Sequence, residues 1–355
     1  MSQRTQTRPI MVGNIQIGGQ NQVIIQSMTN TKTQDIAATV EQCRNLENLG
    51  CQIIRFAIPT IEDAKAIKEI KKEIRMPIVA DIHFDHHLAL AAIEAGADAI
   101  RINPGNIGSL SKVKEVTRAC QEHHLPIRIG INSGSLEKSE LEKYGHVTPE
   151  GMIESAQRHL DILEQLCFKD ICLSFKSSDV PTTIAVYQLA AAKWNYPLHL
   201  GVTEAGPLLD SAIKSSLAMG SLLVQGIGDT LRVSVTGKPE EEIPVAKKIL
   251  NNFHLIKNTP ELISCPTCGR TSYDMLPIIQ EMDEYLNTIH THIKVAIMGC
   301  AVNGPGEARE ADIGVAGGVN EALLFRKGLI IKKIPQDQIV PVLKEEINNY
   351  LKQNN

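Results

Sequence analysis

Eight short apolar runs, each followed by a helical pattern, narrow the folds open to this chain more than any other feature. Between about residue 20 and residue 255 they recur roughly every 25–30 residues. They read Val23-Ile24-Ile25, Ile53-Ile54-Arg55-Phe56, Ile78-Val79-Ala80, Ala99-Ile100-Arg101-Ile102, Ile127-Arg128-Ile129, Ile171-Cys172-Leu173, Leu198-His199-Leu200 and Leu231-Arg232-Val233. Helical stretches lie between them, among them Asp35–Leu49, Ile61–Ile74, His86–Ala95 and Thr148–Leu166. Gly50 and Gly96 stand where a helix would end in the left-handed conformation before the next strand. Strands that are apolar throughout are buried on both faces, which implies a parallel sheet with helical crossovers. Eight such units predict an α/β fold of the (β/α)8 TIM-barrel type. A doubly wound open sheet is the alternative. The first strand is not followed by a Gly-x-Gly-x-x-Gly turn, which counts against it.

After Pro239 one more helix runs to about Asn252, and Phe253–Pro260 reads as a linker. The expected division is a TIM-barrel substrate-binding domain over 1–257 and a smaller α/β domain over 258–355. The second part reads as a strand at Leu262-Ile263, a cysteine knuckle, a helix over Met275–Thr288 and a strand over Lys294–Met298. A glycine-rich segment follows, then a hairpin around Lys327-Gly328 and a final helix over Gln336–Leu351.

Composition removes several classes of function. A net charge of −4 and 4% aromatic residues disfavour nucleic acid as a partner. No apolar run reaches the roughly 18 residues of a membrane span, and Met1–Pro9 lacks the apolar core of a secretory signal. A cytoplasmic protein is expected. There, eight cysteines argue for metal ligands or buried thiols rather than disulfides. Cys43, Cys51, Cys120, Cys167 and Cys172 are expected to be small buried hydrophobes.

Active sites of such barrels form at the C-terminal strand ends, and here those ends are polar. They offer Ser27, Thr29 and Asn30; Arg55; Asp81 and His83; Arg101 and Asn103; Arg128, Asn132 and Ser133; Lys176 and Ser178; Thr203 and Glu204; and Arg232, Ser234 and Thr236. Five cations converging on one mouth repel one another, by roughly 4 kcal/mol for a pair 4 Å apart at an effective dielectric near 20. A phosphate- or diphosphate-bearing ligand relieves this, and guanidinium forks match its oxygens. The competing reading pairs each arginine with an acid such as Asp81, Asp98 or Glu204. Glu204 itself is read as an orienting carboxylate with a low pKa amid cations. The run Asp81-Ile82-His83-Phe84-Asp85-His86-His87 could suggest a metal-dependent hydrolase, but the eighth strand offers Arg232 and Ser234 instead of ligands. His83 is therefore read as a rim residue, and His86 and His87 as the start of a helix.

The second domain carries Ser264-Cys265-Pro266-Thr267-Cys268-Gly269-Arg270 and Gly299-Cys300-Ala301-Val302-Asn303-Gly304-Pro305-Gly306-Glu307, a C-x2-C-x31-C-x6-E spacing. Three thiolates are too few for a closed four-thiolate site, so one coordination position is labile or open. A structural zinc with His290 or His292 and a [4Fe–4S] cluster with a non-cysteine fourth ligand both remain open. Glu307 sits after a tight Asn-Gly-Pro-Gly turn that could carry its carboxylate to the metal.

Those two segments, together with Gln26–Thr31, Ala80–Phe84, Arg101–Asn106 and Gly201–Gly206, resemble the 4-hydroxy-3-methylbut-2-en-1-yl diphosphate synthase family over essentially the whole chain. The resemblance implies a short two-domain bacterial form with a [4Fe–4S] cluster on Cys265, Cys268, Cys300 and Glu307. It implies reductive ring opening and dehydration of 2-C-methyl-D-erythritol 2,4-cyclodiphosphate in the non-mevalonate isoprenoid pathway. It places the substrate on Arg55, Arg101, Asn103, Arg128, Asn132, Lys176, Thr203, Arg232 and Ser234, with Glu204 and Glu307 as catalytic residues. A one-electron donor of the flavodoxin or ferredoxin kind follows from the same chemistry. The helix after the eighth strand leads to the lower face of the barrel, and a linker of about eight residues spans at most roughly 28 Å. A homodimer in which one subunit's metal domain serves the other's barrel is therefore expected. Two other readings use the same residues: a phosphate-binding lyase or transferase with a structural zinc tail, and a non-catalytic iron–sulfur sensor.

Overall fold

The computed structural model describes residues 5–355 apart from 104–106, 108, 258, 290, 301–305, 307–308, 319 and 355. The chain divides into two compact units, Met1–Leu255 and Ile256–Asn355.

In the first unit all eight expected strands form, as β3 (Ile24–Met28), β4 (Ile53–Ala57), β5 (Ile78–Asp81), β6 (Ala99–Ile102), β7 (Ile127–Asn132), β8 (Ile171–Lys176), β9 (His199–Gly201) and β10 (Thr230–Arg232), after a hairpin of β1 (Ile10–Val12) and β2 (Ile15–Ile17). The eight are parallel neighbours in the order β8-β7-β6-β5-β4-β3-β10-β9. A bridge from Leu173 to Leu198 joins the two edges, so the sheet closes into a barrel. Local chemistry sets the crossovers. Thr60 and Asp63 cap the helix Ile61–Glu73 reciprocally, and Asp35 caps Ile36–Leu49 through the Ala38 N–H. Gly50 closes that helix at φ 105°, and a Cβ there would meet Lys247 Cε at 2.6 Å. The positive φ favours glycine there, while the flexible end of Lys247 could move aside.

The N-terminal hairpin, which the sequence reading does not anticipate, plugs one end of the barrel. Ile10, Val12 and Ile17 share a buried group with Ile24, Ile53, Val79, Ala99 and Cys172, residues at or near the starts of their strands. Burying such side chains is worth about 1.5–3 kcal/mol each. The N-terminal mouth is thus closed by apolar packing, which leaves the C-terminal mouth for ligands.

The second unit is a five-stranded sheet of β11 (Glu261–Ser264), β12 (Lys294–Met298), β13 (Ile313–Gly317), β14 (Glu321–Arg326) and β15 (Leu329–Pro335). β11, β12 and β13 run parallel, and β13, β14 and β15 antiparallel. Helices Leu276–Leu286 and Ile339–Asn354 supply Met282, Leu286, Ile339, Leu343 and Ile347 to a core with Val295, Ile297, Val315 and Leu324. The hairpin turn at Lys327-Gly328 has φ 47° and 76°, the left-handed pair that matches strand twist.

Cys43, Cys51, Cys120 and Cys172 are buried as expected, and burial pushes each thiol up to about 12. Cys167 departs from the expectation: it is exposed, at φ 57° in the turn after the helix Pro149–Gln165. Among the described residues, no helix is long and apolar enough to cross a membrane.

Candidate active site

The strand register gathers the expected cations at one end of the barrel. Asp81, the last residue of β5, pairs across with Arg101 of β6, which pairs in turn with Arg128 of β7. Lys176 ends β8 opposite Asn132, and Arg232 ends β10 opposite Gly201. Arg55, Arg101 and Arg128 are buried. Room for them is built in: a Cβ on Gly130 would meet Arg101 Nε and Nη2 at 2.6 Å.

Among the described residues two carboxylates pair with these five charges. Asp81 is shared, 3.1 Å from Arg101 Nη1 and 3.5 Å from Arg55 Nε. Glu242 takes Arg232 at 2.8 Å and 3.1 Å and also accepts from Ser27 Oγ at 2.7 Å. Arg128 has no such partner: Nη1 donates to Gln26 Oε1 at 2.8 Å, and the buried Nη2 has no hydrogen bond among the described residues. Arg55 points its remaining donors at the weakly accepting Met28 Sδ, 2.9 Å from Nη2. Of the acids offered by the competing reading, Asp81 does pair with Arg55 and Arg101, whereas Asp98 and Glu204 make no ion pair with these arginines among the described residues. Asp98 pairs with Lys71 at 2.7 Å.

The electrostatic consequence is large. Burial pushes the Lys176 ammonium well below its ordinary range, and Arg55, Arg232, Arg128 and Arg101 push it further. Burial likewise pushes Arg55 well down against the pull of Asp81, and brings Arg128 down to about 10. At Asp81 burial works upward, but Arg55 and Arg101 outweigh it and hold the carboxyl at about 2. Buried cations with free donors and too few counter-ions make a site for an anion with several oxygens.

Asn103 is buried, and Asn132, Thr203 and Ser234 are half-buried at their strand ends. Glu204 corrects the expectation of a carboxylate amid cations. Its side chain is exposed and makes no ion pair or hydrogen bond among the described residues, while its backbone sits at φ 51°. A non-glycine residue held in that region at a strand end is strained, a feature that gathers at functional loops. His83 stands at the rim, half exposed, with Nε2 3.8 Å from Asp81 Oδ1.

Sequence reasoning passes over the groups that hold Arg128. Gln26 Nε2 donates to Thr230 Oγ1 at 3.3 Å, and Thr230 Oγ1 lies 2.5 Å from His199 Nδ1. Burial, reinforced by Arg128 and Lys176, keeps the His199 pKa well below the ordinary range, so the ring is neutral and shares an uncharged hydrogen bond with the Thr230 hydroxyl. This uncharged chain runs across β3, β9 and β10 and supports a guanidinium on β7. The only signal for it in the sequence is polar residues inside otherwise apolar strands.

In the second unit, Ser264 is in register with Ile297, so Cys265 and Cys300 emerge just past the ends of two adjacent parallel strands. Cys265 and Cys300 are half-buried and Cys268 is exposed. The Gly299 N–H points at Cys265 Sγ at 3.2 Å, and Thr271 Oγ1 accepts from the Cys268 N–H at 3.1 Å. Gly299 has no room for a side chain, since a Cβ would meet Met275 Sδ at 2.8 Å and Thr271 Oγ1 at 3.0 Å. Glu307 and His290 lie outside the described residues. His292 Nδ1 lies 3.1 Å from the Thr259 carbonyl oxygen.

A single tetrahedral zinc would draw its thiolates to about 3.8 Å apart, given Zn–S bonds near 2.3 Å. The three sulfurs do not gather within 4.8 Å of one another. A four-iron cluster binds each thiolate to a different iron, so its thiolates stand farther apart than those around one zinc. Soft thiolates, one already taking a backbone N–H bond, fit such a cluster.

Fold and site together define an anion-binding TIM-barrel protein with a thiolate-bearing second domain. The comparisons narrow this. Residues 7–247 match the GcpE TIM-barrel domain and residues 261–349 the GcpE protein C-terminal domain. Proteins of Bacillus mycoides (strain KBAB4) and Bacillus anthracis, both named 4-hydroxy-3-methylbut-2-en-1-yl diphosphate synthase (flavodoxin), are 55% and 54% identical to this chain. Each alignment spans 98% of this chain and 95% of the relative. The chain belongs to the GcpE family of 4-hydroxy-3-methylbut-2-en-1-yl diphosphate synthases. Among solved structures, a type I 3-dehydroquinate dehydratase from Clostridium difficile aligns at TM-score 0.51 and 12% identity, over 70% of this chain and 98% of that one. That likeness concerns the fold alone.

Proposed function

We propose that this chain is an iron–sulfur oxidoreductase that converts 2-C-methyl-D-erythritol 2,4-cyclodiphosphate to 4-hydroxy-3-methylbut-2-en-1-yl diphosphate, with flavodoxin or a ferredoxin as electron donor. The reaction takes up two electrons and two protons and releases one water. One observation carries the reading: five cations, three of them buried arginines, have as ion-pair partners among the described residues only Asp81 and Glu242.

Arg55, Arg101, Arg128, Lys176 and Arg232 hold the diphosphate and stabilise the charge that builds on its oxygen as the ring C–O bond breaks. Asp81 holds two of those guanidiniums in place, and Glu242 a third. Asn103, Asn132, Thr203 and Ser234 orient the polar edge of the substrate. Glu204, on its strained strand end, meets the substrate hydroxyls. Cys265, Cys268, Cys300 and Glu307 are the residues that would hold a [4Fe–4S] cluster, which when bound supplies single electrons and Lewis acidity toward the departing hydroxyl.

The working unit in this reading is a cytoplasmic homodimer in which the metal domain of one subunit serves the barrel of its partner. Anaerobic incubation with the cyclodiphosphate and a chemical reductant should give the linear allylic diphosphate, and Arg128→Ala should abolish it. Mixing Cys300→Ser with Arg128→Ala chains should restore part of the activity. Recovery of none would refute the shared site, and no product from iron-replete wild type would refute the activity.

A further inference from the structure

The residues Asp85, His86 and His87 have no part in the chemistry above. Among the described residues they are the group whose ligand atoms all lie within 4.8 Å of one another. They stand where the chain leaves β5 and enters the helix His86–Glu94, with Asp85 as its cap. Asp85 Oδ1 lies 2.9 Å from His87 Nδ1 and 3.5 Å from His86 Nδ1. Bonds of about 2.0–2.1 Å from nitrogen and oxygen to a late first-row cation set neighbouring ligand atoms about 2.9–3.4 Å apart. The first separation, a hydrogen bond in this structure, lies at the lower end of that range, and the second lies just beyond its upper end.

A second observation concerns His86 alone. Its residue is 6% exposed, yet the buried Nδ1 has no hydrogen bond among the described residues. The other ring nitrogen, Nε2, lies 3.4 Å from Glu115 Oε2, on the neighbouring helix Leu110–Glu122. In the tautomer with the ring proton on Nε2, beside that carboxylate, Nδ1 turns a lone pair toward the Asp85 carboxylate. A lone pair facing an anion is unfavourable unless a cation stands between them. A carboxylate behind the far nitrogen of a ligating histidine is also the arrangement that fixes tautomer and ring orientation in metal sites. His87 and Asp85 are exposed and leave the outer side open to water ligands.

We propose that Asp85, His86 and His87 bind a late first-row divalent cation, zinc being the probe of choice, with Glu115 as the positioning carboxylate behind His86. Two imidazoles and one carboxylate suit zinc, cobalt or nickel over calcium or magnesium. The ion would tie the segment between β5 and the helix His86–Glu94 to the neighbouring helix Leu110–Glu122.

Equilibrium dialysis of the anaerobic holoenzyme against buffered zinc tests this, with zinc and iron counted per chain. The expected result is one zinc per chain beyond the iron content. His87→Gln, which alters an exposed side chain, and Asp85→Asn should each remove it. Glu115→Gln should weaken binding about 10- to 100-fold. Unchanged iron in each variant shows that the fold and the thiolate centre survive. Absence of the extra zinc in wild type would overturn the proposal. So would zinc that persists in both His87→Gln and Asp85→Asn, or zinc removed only by Cys265→Ser.

Discussion

Replacing Asp81 by Asn probes the balance of charge at the barrel mouth. The substitution keeps the shape of a buried side chain but removes the anion shared by Arg55 and Arg101. At an effective dielectric near 20, attractions across 3.1 and 3.5 Å amount to roughly 5 kcal/mol each before desolvation is subtracted. Deleting one partner of a buried pair costs about 3–5 kcal/mol in practice, because the remaining charge stays buried. For a barrel of this size that corresponds to a fall in Tm of roughly 6–20 °C. The single tryptophan, Trp194, lies in the barrel unit and reports its unfolding separately from the second unit. In the variant, five cations face Glu242 alone, so pyrophosphate should raise its Tm by more than it raises that of wild type. A variant with unchanged Tm, or one that responds less to pyrophosphate than wild type, would refute the reasoning.

Further expectations follow from the same geometry. Arg128→Lys removes the fork that reaches Gln26 with one nitrogen while leaving another free, and should raise KM for the cyclodiphosphate about 10-fold or more, read in steady-state kinetics. The buried neutral His199 has a folded pKa below its unfolded value of about 6.5. The unfolded chain therefore binds the extra proton, and barrel stability should fall by about 1.4 kcal/mol per pH unit below 6.5. His199→Gln should flatten that slope in urea titrations followed at Trp194. Asp81 acts lower: the stability it lends is complete above about pH 3.9 and is lost as pH falls through its folded value near 2. Gly299→Ala drives a methyl into Met275 and Thr271 and should cost about 1–3 kcal/mol in the second unit, with a matching loss of iron per chain.

The barrel was legible because its strands are buried on both faces, so each reads as an apolar run with a helix behind it. The rim was legible for the opposite reason: Arg55, Arg101, Arg128, Lys176 and Arg232 interrupt or end those runs, where burial alone would not put a charge. What escaped depends on distance through space. Ile10, Val12 and Ile17 alternate over strands of three residues, and nothing nearby in the chain says that they close a barrel. Glu242 sits in the helix after β10 and reads as a solvated acid, yet it is buried against Arg232 and Ser27. Glu204 reads as a carboxylate amid cations because its neighbours in sequence say nothing of its exposure or of the positive φ at that strand end. Cys167 looked like its buried counterparts because a turn residue and a strand residue can share the same apolar surroundings in sequence.

The central claim is that this chain brings a three-thiolate iron–sulfur centre to a diphosphate held by a ring of buried cations. Low-temperature EPR of the anaerobically reduced protein, recorded before and after addition of the cyclodiphosphate, tests it most directly. The account predicts an iron–sulfur signal that changes on addition in wild type and stays unchanged in Arg128→Ala. A reduced protein with no such signal, or a wild-type spectrum indifferent to the cyclodiphosphate, would contradict it.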